Sequence, residues 1–203
     1  MSALLHLNPE ALPDSLVWEK PMPDEELEAM CLANDFFSFE RTRKGQILVQ
    51  APAGGFSSSG NLEIVRQLGN WWATHRRGRV FDSSCGFFLA DGSMLGPDAA
   101  YVSPERLRGL SRKEMERFLR LCPDFVIELL SPSDRLNDAQ AKMESWTANG
   151  ADLGWLVDPD HRRVFVYRPG SDAAVVTSDS VKGSGPVEGF SLNLDEVWRC
   201  YEI

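Results

Sequence analysis

Residues 125–130 read Phe-Val-Ile-Glu-Leu-Leu, and this nearly unbroken apolar run constrains the fold more than any other stretch. A strand with one face in water alternates polar and apolar residues, whereas a run apolar on both faces belongs in the middle of a covered sheet. Ser131-Pro132-Ser133 breaks the run. A helical pattern then occupies residues 137–149 and stops at Gly150, and a second apolar run fills residues 153–157. Strands around one crossover helix argue for a mixed sheet flanked by helices. Within the run, alternation sets Asp124, Val126 and Glu128 on one face and Phe125, Ile127 and Leu129 on the other. Glu128 thus sits where water reaches least, and a carboxylate there is costly unless it is ion-paired or holds a cation.

The remaining segments fit an α/β chain of mixed α+β character. Residues 1–22 are proline-rich with little periodicity and read as an extended arm. Residues 24–32, acidic early and apolar at helical spacing, predict a short helix. Residues 36–41 and 46–50 predict a hairpin turning at Arg43-Lys44-Gly45, followed by a flexible Gly/Ser loop over 51–60. Asn61 is placed as the N-cap of a helix reaching about His75, with Ile64, Val65, Leu68 and Trp72 as its apolar stripe. Strands are expected at 80–82, 86–89 and 99–102, with Asp91-Gly92 as a tight turn, and a helical stretch over 104–121. Residues 153–157 and 164–167 pair through Asp158-Pro159-Asp160-His161, and a short helix near 194–198 closes the chain after a variable stretch. No repeat or linker divides residues 23–203, which read as one domain.

Composition narrows the function classes. No apolar run approaches the roughly 20 residues that span a bilayer, and the N-terminal residues lack the pattern of a signal peptide. Cys31, Cys85, Cys122 and Cys200 are scattered without a Cys-x-x-Cys pair, which disfavours zinc and suits free thiols in a cytoplasmic protein. The net charge of −9 opposes nonspecific nucleic-acid binding. Basic residues nevertheless cluster at Arg41, Arg43 and Lys44, at Arg76, Arg77 and Arg79, and at Arg106, Arg108, Arg112 and Lys113, where they could guide a phosphate backbone or serve only as solvated surface. The tryptophans Trp71, Trp72, Trp146 and Trp155 fall at apolar-face spacing, as core residues do.

A candidate site follows from three separated residues. Asp98 stands after Pro97 at the entrance to the 99–102 strand, which a hairpin would bring alongside Glu128. Lys142 lies one turn before Trp146 and borders the apolar face of its helix (Ala139, Met143, Trp146). Two carboxylates near a lysine suit Mg2+-assisted phosphodiester hydrolysis, because Mg2+ takes one or two carboxylates plus waters and substrate oxygens. The plainer alternatives stay open: Asp98 as a turn residue, Glu128 ion-paired with Arg135, and Lys142 as a surface lysine.

Four segments carry a resemblance. Residues 93–103, the stretch Cys122-Pro123-Asp124-Phe125-Val126-Ile127-Glu128-Leu129-Leu130-Ser131-Pro132-Ser133-Asp134, Ala141-Lys142-Met143-Glu144 and residues 150–159 resemble a bacterial restriction-endonuclease family of the PD-(D/E)XK nuclease superfamily. The similarity runs from about residue 39 to 198. It implies a restriction-endonuclease-like fold, a central mixed sheet flanked by helices, with an N-terminal hairpin extension. It also implies that Asp98 matches the Pro-Asp aspartate and Glu128 the second acid, the two as metal ligands. Glu63 resembles the extra acid that many such nucleases contribute from the first long helix. The usual motif places lysine two residues after the second acid, where this chain has Leu130, and Lys142 fits the family's lysine relocated to the following helix. The resemblance thus implies a DNA endonuclease dependent on Mg2+, with Mn2+ as a substitute, and two-fold symmetry for double-strand cleavage would make it a homodimer. The displaced lysine and acidic charge suit an alternative, a catalytically silent nuclease-like module that binds DNA or a protein partner.

Overall fold

A computed structural model describes residues 22–34 and 36–203 together with the backbone of Leu16–Trp18. Most of the extended arm expected over 1–22 lies outside the described residues. In chain order the elements are β1 (Leu16–Trp18), α1 (Asp24–Ala33), β2 (Ser38–Arg41), β3 (Ile47–Gln50), α2 (Gly55–His75), β4 (Arg79–Asp82), β5 (Phe87–Phe88), β6 (Met94–Leu95) and β7 (Ala99–Val102). They continue with α3 (Pro104–Leu107), α4 (Arg112–Met115), β8 (Phe125–Leu129), α5 (Leu136–Ala148), β9 (Leu153–Asp158), β10 (Arg163–Tyr167), β11 (Ala174–Val176), β12 (Ser180–Lys182), β13 (Ser191–Asn193) and α6 (Leu194–Arg199).

The apolar run at 125–130 becomes β8, buried along its whole length near the centre of a six-stranded sheet ordered β11-β10-β9-β8-β7-β4. Its partner β9 runs parallel, with α5 as the crossover, and every other pair in that sheet is antiparallel. Both faces are covered, which explains why β8 does not alternate. One face packs Phe125, Ile127, Trp155 and Val157 under Ile64 and Leu68 of α2 and Val197 of α6. The opposite face packs Val126 and Leu156 under Met143 and Trp146 of α5. Gly154 permits that approach, since a Cβ there would stand 2.4 Å from Met143 Cε.

The expected hairpin is present as β2 and β3, with Gly45 at φ +80° in its turn. It belongs to a second sheet ordered β1-β3-β2-β6-β5, so strands from the segment before β7 join it. Its core is Leu27 and Met30 of α1 with Phe39, Ile47, Val49, Phe88 and Met94.

Three expectations change. Helix α2 starts at Gly55, six residues before Asn61, so the Gly/Ser stretch is helical and Asn61 lies inside the helix. Those small residues serve close packing: a Cβ on Gly60 would stand 2.9 Å from Tyr201 Cε2 and 3.1 Å from Leu129 Cδ2. The stretch 104–121 forms only two short helices. Gly109 at φ +88° ends the first, Ser111 opens the second with a capping box on Glu114, and Leu119 then bridges to Phe87. Finally, the variable stretch before α6 contains β11, β12 and β13. Among the described residues no helix is long and apolar enough to cross a membrane.

Candidate active site

Strand register brings the two predicted acids together. Strands β7 and β8 pair antiparallel with Ala99 opposite Ile127, and one further step in that register sets Asp98 opposite Glu128. Directly opposed residues of an antiparallel pair hold their Cβ atoms about 5 Å apart. Asp98 Oδ2 accepts the backbone N–H of Leu129 at 2.7 Å, which ties the carboxylate across to β8. Asn61 Nδ2 of α2 donates to Asp98 Oδ1 at 2.7 Å.

Helix α5 supplies the cation. Lys142 and Trp146, one turn apart, reach the same carboxylate: Nζ donates to Glu128 Oε2 at 2.9 Å and the indole Nε1 donates to Oε1 at 2.8 Å. Lys142 also donates to the carbonyl of Gly96 at 2.8 Å and pairs with Glu40 Oε1 at 2.7 Å. Asp98, Glu128 and Lys142 are therefore gathered in one cluster, and Lys142, not Arg135, is the ion-pair partner of Glu128.

Glu63 is not part of that cluster. Its carboxylate takes Arg66 Nη2 at 2.6 Å, Arg66 Nε at 2.7 Å and Gln67 Nε2 at 2.8 Å. Two residues along an α-helix turn about 200°, so Glu63 and Asn61 flank opposite sides of the buried stripe Ser57, Gly60, Ile64 and Leu68. The residue that α2 offers to the acids is Asn61.

Glu40 is the member that the sequence reading missed. It lies on β2, only 4% exposed, and Oε1 also accepts the backbone N–H of Gly96 at 3.1 Å. Its signal was the one used for Glu128, a carboxylate inside a strand. A short hairpin strand with neighbours Phe39 and Arg41 looks half-solvated, however, until Lys142 of α5 and the Gly96 turn meet the Glu40 side chain.

Burial dominates the electrostatics. It pushes the Glu128 carboxyl up to about 8, against the pull of the Lys142 ammonium, with Asp98 and Glu40 adding in the upward direction. Burial likewise raises the Asp98 carboxyl, against Lys142 and the Leu129 N–H. For Lys142 burial alone would lower the value, but Glu128, Glu40 and Asp98 outweigh it and hold the ammonium above the ordinary lysine range. By contrast, the Arg66 guanidinium holds Glu63 below the usual carboxylate range.

The donor set fits a hard divalent cation. Asp98 and Glu128 offer carboxylate oxygens, each with a lone pair beyond the one already engaged. Asn61 Oδ1 is a buried acceptor without a hydrogen-bond partner among the described residues, beside Asp98. A buried oxygen left unpaired normally has a ligand or water to explain it. Two carboxylates with a neutral oxygen match the sparse protein ligation of Mg2+. Among the described residues no group of three or more His, Cys, Asp and Glu side chains could hold a metal by itself.

The basic clusters are partly consumed by the fold. Arg41 pairs with Asp24 and Arg106 with Asp124 and Asp152, whereas Arg112 meets Glu116 on the open surface. Arg43, Lys44, Arg76, Arg77, Arg79, Arg108 and Lys113 remain exposed.

Comparison with known proteins gives two findings. The family model described as "Putative restriction endonuclease" (Uma2) matches residues 24–195. The fold is similar to a crystal structure of a "putative nuclease belonging to DUF820" from Anabaena variabilis ATCC 29413. That match has a TM-score of 0.67 and 22% sequence identity, and it covers 80% of this chain and 90% of the other. No curated protein matches the sequence.

Proposed function

The chain belongs to the Uma2 family, described as "Putative restriction endonuclease", and we propose that it is a Mg2+-dependent DNA endonuclease acting through Asp98, Glu128 and Lys142. The observation that carries this reading is the meeting of those three side chains, from the entrance to β7, from β8 and from α5, at one buried place. Asp98 and Glu128 would hold the cation, Mg2+ or Mn2+, with the buried, unpartnered Asn61 Oδ1 as a candidate neutral ligand. Once bound, such a cation lowers the pKa of a coordinated water and neutralises charge developing on the scissile phosphate.

The chain's own residues account for the rest. Trp146 Nε1 and the Leu129 N–H fix the orientation of Glu128 and Asp98, as partners behind ligands generally do. Lys142 keeps its charge throughout the neutral range and would stabilise a phosphate oxyanion. The exposed arginines Arg76, Arg77 and Arg79 supply candidate phosphate contacts on a chain of net charge −9. We place the working form as a homodimer, which sedimentation over a concentration series would test.

Purified protein should nick supercoiled DNA with Mg2+ or Mn2+ and stop in chelator. Glu128→Ala and Asp98→Asn should each lower the rate about 100-fold or more. Cutting in chelator, or a fully active Glu128→Ala protein, would falsify the proposal.

One observation favours a second reading, a silent module: the three Lys142 protons already have three acceptors in Glu128, Glu40 and Gly96. Calorimetry separates the two. Metal binding lost in Asp98→Asn supports the enzyme, and no metal binding in the parent protein supports the module.

A further inference from the structure

Lys142 is held by two carboxylates that are not equivalent. Glu128 divides its two oxygens, Oε1 accepting from the Trp146 indole and Oε2 from Lys142. A divalent cation bound at Glu128 would repel the ammonium and weaken its hold on Oε2. The hold of Glu40 does not depend on that oxygen. It comes from β2 of the second sheet, it is buried, and its Oε1 meets both Lys142 Nζ and the Gly96 N–H. The Gly96 carbonyl accepts in turn from Lys142. Glu40, the Gly96 peptide and Lys142 thus close a ring of hydrogen bonds that needs no contribution from Glu128. Gly96 directly precedes Pro97-Asp98, so the ring also steadies the turn that delivers Asp98.

We propose that Glu40 is the positioning residue for Lys142, retaining the ammonium at the site when Glu128 gives its charge to a bound cation. The role in cleavage rests on the endonuclease reading; the anchoring itself does not. Without Glu40, a cation on Glu128 would leave Lys142 with only the Gly96 carbonyl. A buried ammonium with one neutral acceptor is poorly satisfied, and the four-carbon stem is long enough to swing the head into water.

The test is the reactivity of Lys142 toward acetic anhydride, read by mass spectrometry of the full chain against the exposed Lys113 as internal standard. Without metal, Lys142 should be protected in the parent protein and in Glu128→Gln, because Glu40 still holds it. The double variant Glu40→Gln/Glu128→Gln should react about tenfold faster or more, the scale of one charge-assisted hydrogen bond. With saturating Mn2+ the parent should stay protected while Glu40→Gln loses protection by a similar factor. A general loss of structure would raise every buried group together, whereas this change is confined to Lys142. If Glu40→Gln does not fold, Glu40→Asp makes the same comparison, since its shorter carboxylate withdraws from Nζ and should expose Lys142 once Mn2+ is added. Glu128→Gln alone exposing Lys142, or Glu40→Gln leaving it protected under Mn2+, overturns the proposal. A parent protein that binds no Mn2+ by calorimetry removes the endonuclease reading instead, and the metal-free single and double variants still decide the anchoring.

Discussion

Glu128 is a strongly perturbed carboxyl of the cluster because burial outweighs the Lys142 ammonium beside it. Its carboxyl is raised from 4.5 to about 8, and the consequence for stability has a definite sign. An acid whose folded value exceeds its unfolded value binds its proton more tightly in the folded state. Stability from that proton is complete below about pH 4.5 and is lost as pH rises through about 8. In chelator, the thermal midpoint of the parent should therefore fall, relative to Glu128→Gln, between pH 4.5 and 8. Thermal unfolding of both proteins across that window checks it, and parallel curves would show that the carboxyl titrates normally. Glu128 was legible in the sequence because a mid-strand charge violates the pattern around it. Asp98 and Lys142 each border an apolar run, but it was the family resemblance that set them apart from a turn aspartate and a surface lysine. Glu40 was not legible, since nothing within several residues of it shows that the hairpin's outer face will be covered.

At the scale of elements, α2 shows how packing overrides local signals. Its first turns, Gly55-Phe56-Ser57-Ser58-Ser59-Gly60, have poor helix propensity and read as loop. They are helical because small side chains let α2 lie against Tyr201 and Leu129. Two glycines of this helix should then respond oppositely to the same change. Gly69 faces open space, so Gly69→Ala should stabilise by about 0.5–1 kcal/mol. Gly60→Ala would press its methyl onto Tyr201 and Leu129, and overpacking of that kind destabilises by about 1–3 kcal/mol. Urea denaturation of both variants distinguishes the two signs, and a stabilised Gly60→Ala would show that the helix can shift without loss. The early start of α2 also corrects the part assigned to Asn61. As an N-cap it would point back at the helix backbone, whereas inside the helix it reaches Asp98.

On the scale of the whole molecule, the site depends on two sheets staying together. Within the second of them, Arg41 of β2 fastens the hairpin to α1 and to the turn between β5 and β6: Nε donates to the Gly92 carbonyl at 2.8 Å, Nη1 to the Met22 carbonyl at 3.0 Å, and Nη2 to Asp24 at 2.5 Å. Arg120 also pairs with Asp24, and Arg117 with Glu28, which fastens α1 to the segment after α4. Arg41→Met should therefore lose about 2–3 kcal/mol, because it strands Asp24 and two carbonyls in a partly buried place. Denaturant titration measures it, and a loss below about 0.5 kcal/mol would mean that Arg120 alone suffices for Asp24. The sequence by itself determined the central sheet, its crossover helix and the buried place of Glu128 within it. Those features are written in apolar periodicity over five to fifteen residues, where covered and uncovered strands differ. Only the tertiary structure decided that β5 and β6 extend the hairpin, that Asn61 rather than Glu63 faces Asp98, and that Glu40 closes on Lys142. The physical reason is that local periodicity tells which side of an element is apolar. What finally covers its polar side is set by chain segments dozens of residues away.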